Sequence, residues 1–536
     1  MHSRPDPKPG AMARTAAPEP DLVAPDQEIE LKLTCRDPLY LAGITATPIL
    51  AAARDKSIRR LDSLYYDTQD QRLRRAGFTL RVREVGDRFV MTVKQRQDGG
   101  LARFEREEAL PSATLDREAL GRLLPPEVLD GLGDAPVLPL FSSRIEREMG
   151  TLDFAGSTIE VALDRGRIVA GERSEAVAEI ELELKRGSPA ALYQLALELA
   201  GHAPLVPSGR TKSDRGFALT SNSADPEPPN KLRLSRRSTA DEALGAILGV
   251  ALAQAVHHLP RVAGRADPEG VHQLRVALRR LRMGLWLVKR AGGGALVQIL
   301  TEEVRWLAGE LGDARDWDVL ATEIVPAAAA SGDGRNGFRK LGQNVDAQRR
   351  QAHQRAADAV SSGRAGRLLL SIGLLQSRHG WREVMPKGGR RLDKPVKGMA
   401  KDALRALHRR VLRRGRDFDS LDAEGRHRLR IALKSLRYAA DLFLPLLQRR
   451  KPARRQAAAL KRLQDEFGRL NDASRGSQLL TQLAGDVPAP EARGAIGRVL
   501  IAQQNILADG EPALRRSWLD FIRKFEPRRG RKRRRH

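Results

Sequence analysis

Between residues 27 and 219 apolar and polar positions alternate in short runs. These are E-I-E-L-K-L from Glu28, S-L-Y-Y-D-T from Ser63, F-T-L-R-V-R from Phe78, R-F-V-M-T-V-K from Arg88, R-F-E-R-E-E from Arg103, T-I-E-V-A-L-D from Thr158 and A-E-I-E-L-E-L-K from Ala178. Successive strand residues point to opposite faces, so each run predicts a strand with one apolar and one charged face. Turn formers between runs, such as Arg75-Ala76-Gly77, make the expected domain an antiparallel β structure. Two stretches, around residues 116–124 and 189–200, read as helices.

After Leu219 the period changes. T-S-N-S-A-D-P-E-P-P-N opens a linker over residues 220–236, and from there Leu and Ala recur at three- and four-residue spacing among Arg, Glu and Gln. An all-α bundle is expected over 237–527, behind a β domain over 26–219. Residues 1–25, with P-D-P-K-P-G and T-A-A-P-E-P, read as a disordered leader, and 528–536 as a disordered basic tail. The helical part also repeats itself. V-H-Q-L-R-V-A-L-R-R-L-R from Val271 matches R-H-R-L-R-I-A-L-K-S-L-R from Arg426, and E-L-G-D-A-R-D from Glu310 matches E-F-G-R-L-N-D from Glu466. His272, Arg275, Arg279 and Arg282 thus correspond to His427, Arg430, Lys434 and Arg437, which implies two similar helical halves.

Charge sharpens this division. The formal net charge is +27, yet residues 1–230 hold 31 Lys and Arg against 36 Asp and Glu, a net of −5. Residues 231–536 hold the other 63 basic and 31 acidic residues, a net of +32. So basic a block implies a polyanionic partner. Positions three and four apart share a helix face, so each histidine-bearing repeat lays its basic residues in one stripe, an anion-binding groove rather than a metal site. Aromatics are only 4% of the chain, and no helix-turn-helix, zinc-finger or stacking pattern is visible, which argues against nucleic acid. A single cysteine, Cys35, excludes an internal disulfide framework. No window reads as a membrane span, and Pro and charge replace the apolar core of a signal peptide, so a cytoplasmic protein is expected.

The β domain poses a different question, because nearly every strand has a charged face. Glu28, Glu30 and Lys32 share one, Arg81 and Arg83 another, and Glu179, Glu181, Glu183 and Lys185 a third; Lys94, Arg103, Glu105 and Glu107 continue the pattern. Seven such strands together imply a closed barrel with a charged lumen. Basic residues suit phosphate oxygens, while clustered carboxylates require hard cations such as Mg²⁺ or Mn²⁺. A metal-bound polyphosphate satisfies both sets.

E-I-E-L-K at Glu28, Y-Y-D-T at Tyr65, L-R-V-R at Leu80, Lys94, R-F-E-R-E at Arg103, L-D-R-G at Leu163, E-I-E-L-E-L-K at Glu179 and S-G-R-T-K-S-D-R-G at Ser208 resemble the CYTH family, or triphosphate tunnel metalloenzymes. The resemblance spans about residues 26–219 and implies an eight-stranded antiparallel tunnel that hydrolyses triphosphates with Mg²⁺ or Mn²⁺. It implies Glu28, Glu30, Asp164, Glu181 and Glu183 as metal ligands, with Glu107 in support. Arg81, Arg83, Arg103 and Lys212 would hold substrate phosphates, with Glu28, Glu30, Lys32 and Lys94 at the catalytic centre.

V-H-Q-L-R-V-A-L-R-R-L-R, L-G-D-A-R-D-W-D-V-L and H-R-L-R-I-A-L-K-S-L-R-Y resemble the CHAD family of conserved-histidine helical domains. That resemblance implies two four-helix bundles and a basic groove for inorganic polyphosphate, able to direct a protein to polyphosphate granules. Its residues here would be His272, Arg275, Arg279, Arg282, His427, Arg430, Lys434 and Arg437. Together the two halves point to a tripolyphosphatase tethered to a polyphosphate-binding module. A non-catalytic scaffold and a CYTH-type adenylate cyclase stand as alternatives, and the sequence leaves the oligomeric state open.

Overall fold

The structure, a computed structural model, describes residues 28–525 apart from 87, 96–101, 113–114, 221–231, 233, 265–266, 331–334, 384–388 and 487–488. The expected leader, basic tail and most of the linker lie outside the described residues, as do the side chains of Glu28 and Arg103.

Among the described residues, nine antiparallel strands form the first domain: β1 (Glu28–Thr34), β2 (Arg54–Asp67), β3 (Phe78–Val85), β4 (Arg88–Gln95), β5 (Ala102–Leu110), β6 (Leu138–Phe154), β7 (Ser157–Ala170), β8 (Arg173–Arg186) and β9 (Val206–Pro207). Their order is β5-β4-β3-β2-β6-β7-β8-β1-β9. Two pairs, Glu28↔Arg103 and Ile29↔Ala102, bring β1 back to β5. The sheet is therefore rolled, but its seam is short and not closed by a full ladder. The ninth strand, absent from the expected count of eight, is a two-residue addition beside β1.

The sheet is inside out relative to an ordinary core. Leu31, Leu33, Ile180, Leu182 and Leu184 face outward and pack under Leu192, Leu195 and Leu199 of the helix Pro189–Leu199. On the other flank, Leu80, Val82, Met91 and Val93 pack with Leu120 and Leu123 of the helix Arg117–Leu123. The charged faces of β1, β3, β4 and β8 are thereby turned inward, where Lys32 and Glu179 are buried beside Asp164 of β7. One end of the lumen is apolar: Tyr65 stacks on Phe141 at 4.6 Å, and Phe217 of the plug helix Lys212–Thr220 meets Phe141 edge-on at 5.0 Å.

Among the described residues, eight long helices carry the second domain. The first group is Ala240–Gly264, Pro268–Ala291, Ala295–Val319 and Arg335–Val360; the second is Val396–Arg414, Ala423–Leu447, Arg450–Asp486 and Pro490–Lys524. Helix Ala240–Gly264 is long and apolar enough to cross a membrane, contrary to the sequence expectation, but it is the mostly buried centre of the first group. The repeat extends to the capping residues. Asp267 accepts from the backbone N–H groups of Glu269 and Gly270, and Asp422 from that of Gly425, five residues before His272 and His427 respectively.

Between the groups, helix Gly363–Ser377 braces the β domain. Its Leu370 is buried in the β-domain core, while Val206 of β9 is buried in the helical core. Gly366 makes this approach possible, because a Cβ there would lie 1.8 Å from the Leu205 carbonyl oxygen. Gly366→Ala is expected to cost about 2 kcal/mol by overpacking. Gly342→Ala, in an open mid-helix position, is expected to gain up to about 1 kcal/mol. Urea denaturation of both variants checks the contrast.

Candidate active site

Strand register places the lumen's carboxylates side by side. Asp164 lies opposite Glu179, and Lys32 opposite Glu181, so three acids and a lysine from β1, β7 and β8 share one face. Carboxylate oxygens of Asp164, Glu179 and Glu181 lie within 4.8 Å of one another. Such a set of hard oxygen donors fits Mg²⁺ or Mn²⁺. Here the acids are neutralised from within the chain. Lys212, the first residue of the plug helix, reaches Asp164 at 2.5 Å and Glu181 at 3.0 Å and also contacts Glu179. Lys32 sits 2.5 Å from Glu181, and Arg147 grips Asp164 with two hydrogen bonds of 2.7 and 2.6 Å while also touching Glu181. The second oxygen of Glu179 accepts from Arg215 at 3.2 Å, and Arg215 is held in turn by Glu175 at 2.8 Å.

These contacts set the ionisation of the group. Burial opposes the charge on Glu181, but Lys212, Lys32 and Arg147 outweigh it and hold the carboxyl well below its usual range. Burial likewise opposes the charge on Lys32 and Lys212, and the facing carboxylates reverse it, raising both.

The opposite wall is a cation wall. Arg81 donates to Thr92 at 2.9 Å and lies 3.7 and 3.5 Å from Glu105 and Glu107; Lys94 pairs with Glu105 at 2.7 Å. Arg83 donates to Ser63 at 3.1 Å, and burial together with neighbouring Arg81 lowers its pKa to about 10. The Nε of Arg81 is buried without a hydrogen-bond partner.

Of the sequence-predicted metal ligands, Asp164 and Glu181 stand in the trio. Glu30 is buried one register step away, opposite Glu183, and Glu183 pairs instead with Lys185 at 2.6 Å. Glu179 completes the trio; continuation of the period-two pattern is the signal that includes it. Lys212 sits on the carboxylates rather than on the cation wall. Arg147 faces the lumen, whereas Arg144 is exposed on the outer face. Arg147 and Arg215 reveal their roles only through tertiary contacts.

In the second domain the two histidine helices meet. Arg275 and Arg279 feel Arg430 across the interface, and Lys434 feels both Arg275 and Arg279; Arg315 from Ala295–Val319 adds a fifth cation. Acidic compensation is thin. Asp472 lies 3.9 Å from Arg430, and Asp316 is engaged by Arg475 at 2.7 Å. Arg275 donates to the Ala308 carbonyl at 2.8 Å and Arg430 to Asn471 at 2.7 Å, but the Nε atoms of Arg279 and Arg430 are buried without partners. Burial and the nearby arginines lower both His272 and His427, so each is neutral at physiological pH. Arg282 and Arg437 extend the stripes outward, Arg437 donating to Gln464 at 3.2 Å.

Residues 26–217 match the CYTH domain and residues 246–481 the CHAD domain. The chain carries a CYTH domain followed by a CHAD domain. An inorganic triphosphatase from Haemophilus influenzae is 30% identical to the CYTH–CHAD chain over 202 residues, 36% of this chain and 55% of the relative, so the match spans about half that relative's length. Among solved structures, the CHAD domain from the plant Ricinus communis is 33% identical, with 55% of this chain and 96% of that one covered at a TM-score of 0.47. A Hippeastrum protein described as an adenylyl cyclase with dominant triphosphatase activity is 18% identical, with 36% and 95% covered and a TM-score of 0.27.

Stability of the CYTH domain should carry the mark of the lumen's ion network. A carboxyl lowered on folding stabilises above its unfolded pKa of about 4.3, and that contribution is lost as pH falls toward the folded value. A raised lysine stabilises below its unfolded pKa of about 10.4 and loses the effect at higher pH. Glu181→Gln is therefore expected to unfold at lower urea at pH 7 and to show a shallower loss of stability below about pH 4.3 than the wild type. Urea titrations across pH read both effects.

Proposed function

We propose that the β domain hydrolyses short inorganic polyphosphate, converting tripolyphosphate and water to pyrophosphate and phosphate, and that the helical domain binds longer polyphosphate. The observation that carries this reading is the division of one lumen into a carboxylate trio and a facing cation wall. Likeness to an inorganic triphosphatase over the same residues supports it.

In this reading Arg81, Arg83 and Lys94 hold the phosphate oxygens, and the free Nε of Arg81 is the donor waiting for one. Glu105, Glu107 and Ser63 keep those side chains extended across the lumen. A divalent cation, Mg²⁺ or Mn²⁺, held by Asp164, Glu179 and Glu181 would supply charge neutralisation and an activated water. Lys32 and Arg147 keep Glu181 ionised, Arg147 also clamps Asp164, and Arg215 fixes the direction of Glu179. Phe217, Phe141 and Tyr65 exclude water from the far end. In the helical domain, the surplus of Arg275, Arg279, Arg315, Arg430 and Lys434 over Asp316 and Asp472 suits a linear polyanion, and the neutral histidines offer hydrogen bonds at its edge.

Phosphate release from tripolyphosphate, long-chain polyphosphate and ATP, with and without Mg²⁺ or Mn²⁺, tests the assignment. Metal-dependent turnover of tripolyphosphate is expected. In Arg81→Ala, which removes a charge-assisted hydrogen bond to the phosphate oxygens, kcat/KM is expected to fall about 100-fold. Retained polyphosphate binding without turnover of any substrate would leave a scaffold in place of an enzyme.

A further inference from the structure

We propose that binding of a polyanion in the helical groove is coupled to uptake of one proton by Lys434. The inference rests on the groove reading above and adds how that site responds to pH.

Three observations converge. First, the repeat is broken at one place: where the first half has Arg279, the second has Lys434. A guanidinium cannot release its proton in a protein, whereas a lysine ammonium can. Second, the groove gathers more positive charge than it neutralises. Lys434 feels Arg430 on its own helix and Arg279 and Arg275 on the partner helix, offset by Asp472 from Arg450–Asp486. Asp472 lies nearer to Arg430, and Asp316 is taken by Arg475. The basic end of Val396–Arg414 turns elsewhere, Arg410 toward Trp286 and Arg414 onto the Arg428 carbonyl. Third, the buried, partnerless Nε donors of Arg279 and Arg430 show that this cluster is built to receive acceptor oxygens.

Lys434 is the member of the cationic core able to relieve the repulsion by deprotonation. Burial, then Arg430, Arg279 and Arg275, pushes its pKa down to about 7. Part of the empty-groove population therefore carries a neutral amine at neutral pH. Phosphate oxygens entering the groove reverse the local field and restore the ammonium, the proton passing from solvent to Nζ. Because the occupied groove binds one more proton than the empty one, affinity falls as pH rises above about 7, approaching tenfold per pH unit until the bound-state pKa is reached.

Calorimetric titration of the full chain with long-chain polyphosphate, in EDTA near pH 8 and in two buffers of different ionisation enthalpy, counts the protons. The wild type is expected to take up about one proton per site, and Lys434→Arg to bind with near-zero uptake and a flat affinity between about pH 7 and 9. His272 and His427 are retained in that variant, so uptake unchanged by it would assign the proton to the histidines and overturn the proposal. Binding by the wild type without uptake would overturn it as well. Absence of any binding, or binding undiminished in Arg275→Ala/Arg430→Ala, would overturn the groove reading itself and the inference with it.

Discussion

Three carboxylates buried within reach of one another are the constraint on which the first domain turns. Asp164 and Glu179 are fully enclosed and Glu181 nearly so, and bringing like charges out of water is tolerable only when opposite charges come with them. Lys32, Lys212, Arg147 and Arg215 are those charges, and they come from β1, β6 and the plug helix. The requirement reaches well beyond the site. β1 must lie beside β8 to present Lys32, β6 must lie beside β7 to present Arg147, and the chain must return after β9 to insert Lys212 and Arg215. Apolar residues, displaced from the lumen by this arrangement, find their core on the outside, beneath covering helices.

The helical domain solves the opposite problem by leaving it partly unsolved. Its cations are brought together by crossing two amphipathic helices whose buried faces, Leu274, Leu278 and Leu281 on one and Leu429, Leu433 and Leu436 on the other, are set by core packing. Repulsion across that crossing is carried by the stability of the bundles, whose apolar core is continuous from one group to the other. A surplus of like charge in a rigid frame leaves a strongly positive local field. Two guanidinium Nε atoms without partners lie within that field.

How much of this is legible in the sequence follows from range. Period-two charge is a local signal, and it announces most strands and the faces that meet in the lumen. β6 escapes it, because at the apolar end Phe141, Ser143 and Ile145 face inward while Arg144 and Glu146 point outward, so its charged face there lies outside the lumen. The stripes of His272 and His427 are legible for the same local reason. Pairings are not. That Arg147 belongs to Asp164, that Arg215 belongs to Glu179, and that Lys212 turns to the acids rather than the cation wall depend on register and on where the plug helix lands. Lys434 looks like a conservative exchange in one dimension and becomes distinct only among the arginines that surround it.

The segment between β9 and the plug helix ties the two electrostatic problems together. Val206 is packed in the helical core, the backbone N–H of Ser208 donates to the Lys32 carbonyl at 2.9 Å, and four residues later Lys212 enters the carboxylate trio. A shift of the bracing helix Gly363–Ser377 therefore cannot leave this segment untouched, since Gly366 lies against the backbone of Leu205 without room for a single added carbon. Close-packed interfaces of this kind transmit displacement rather than absorb it. The placement of Lys212 is thus a property of both domains, and the acids of the lumen keep their counter-charge only while the helical domain holds its seat.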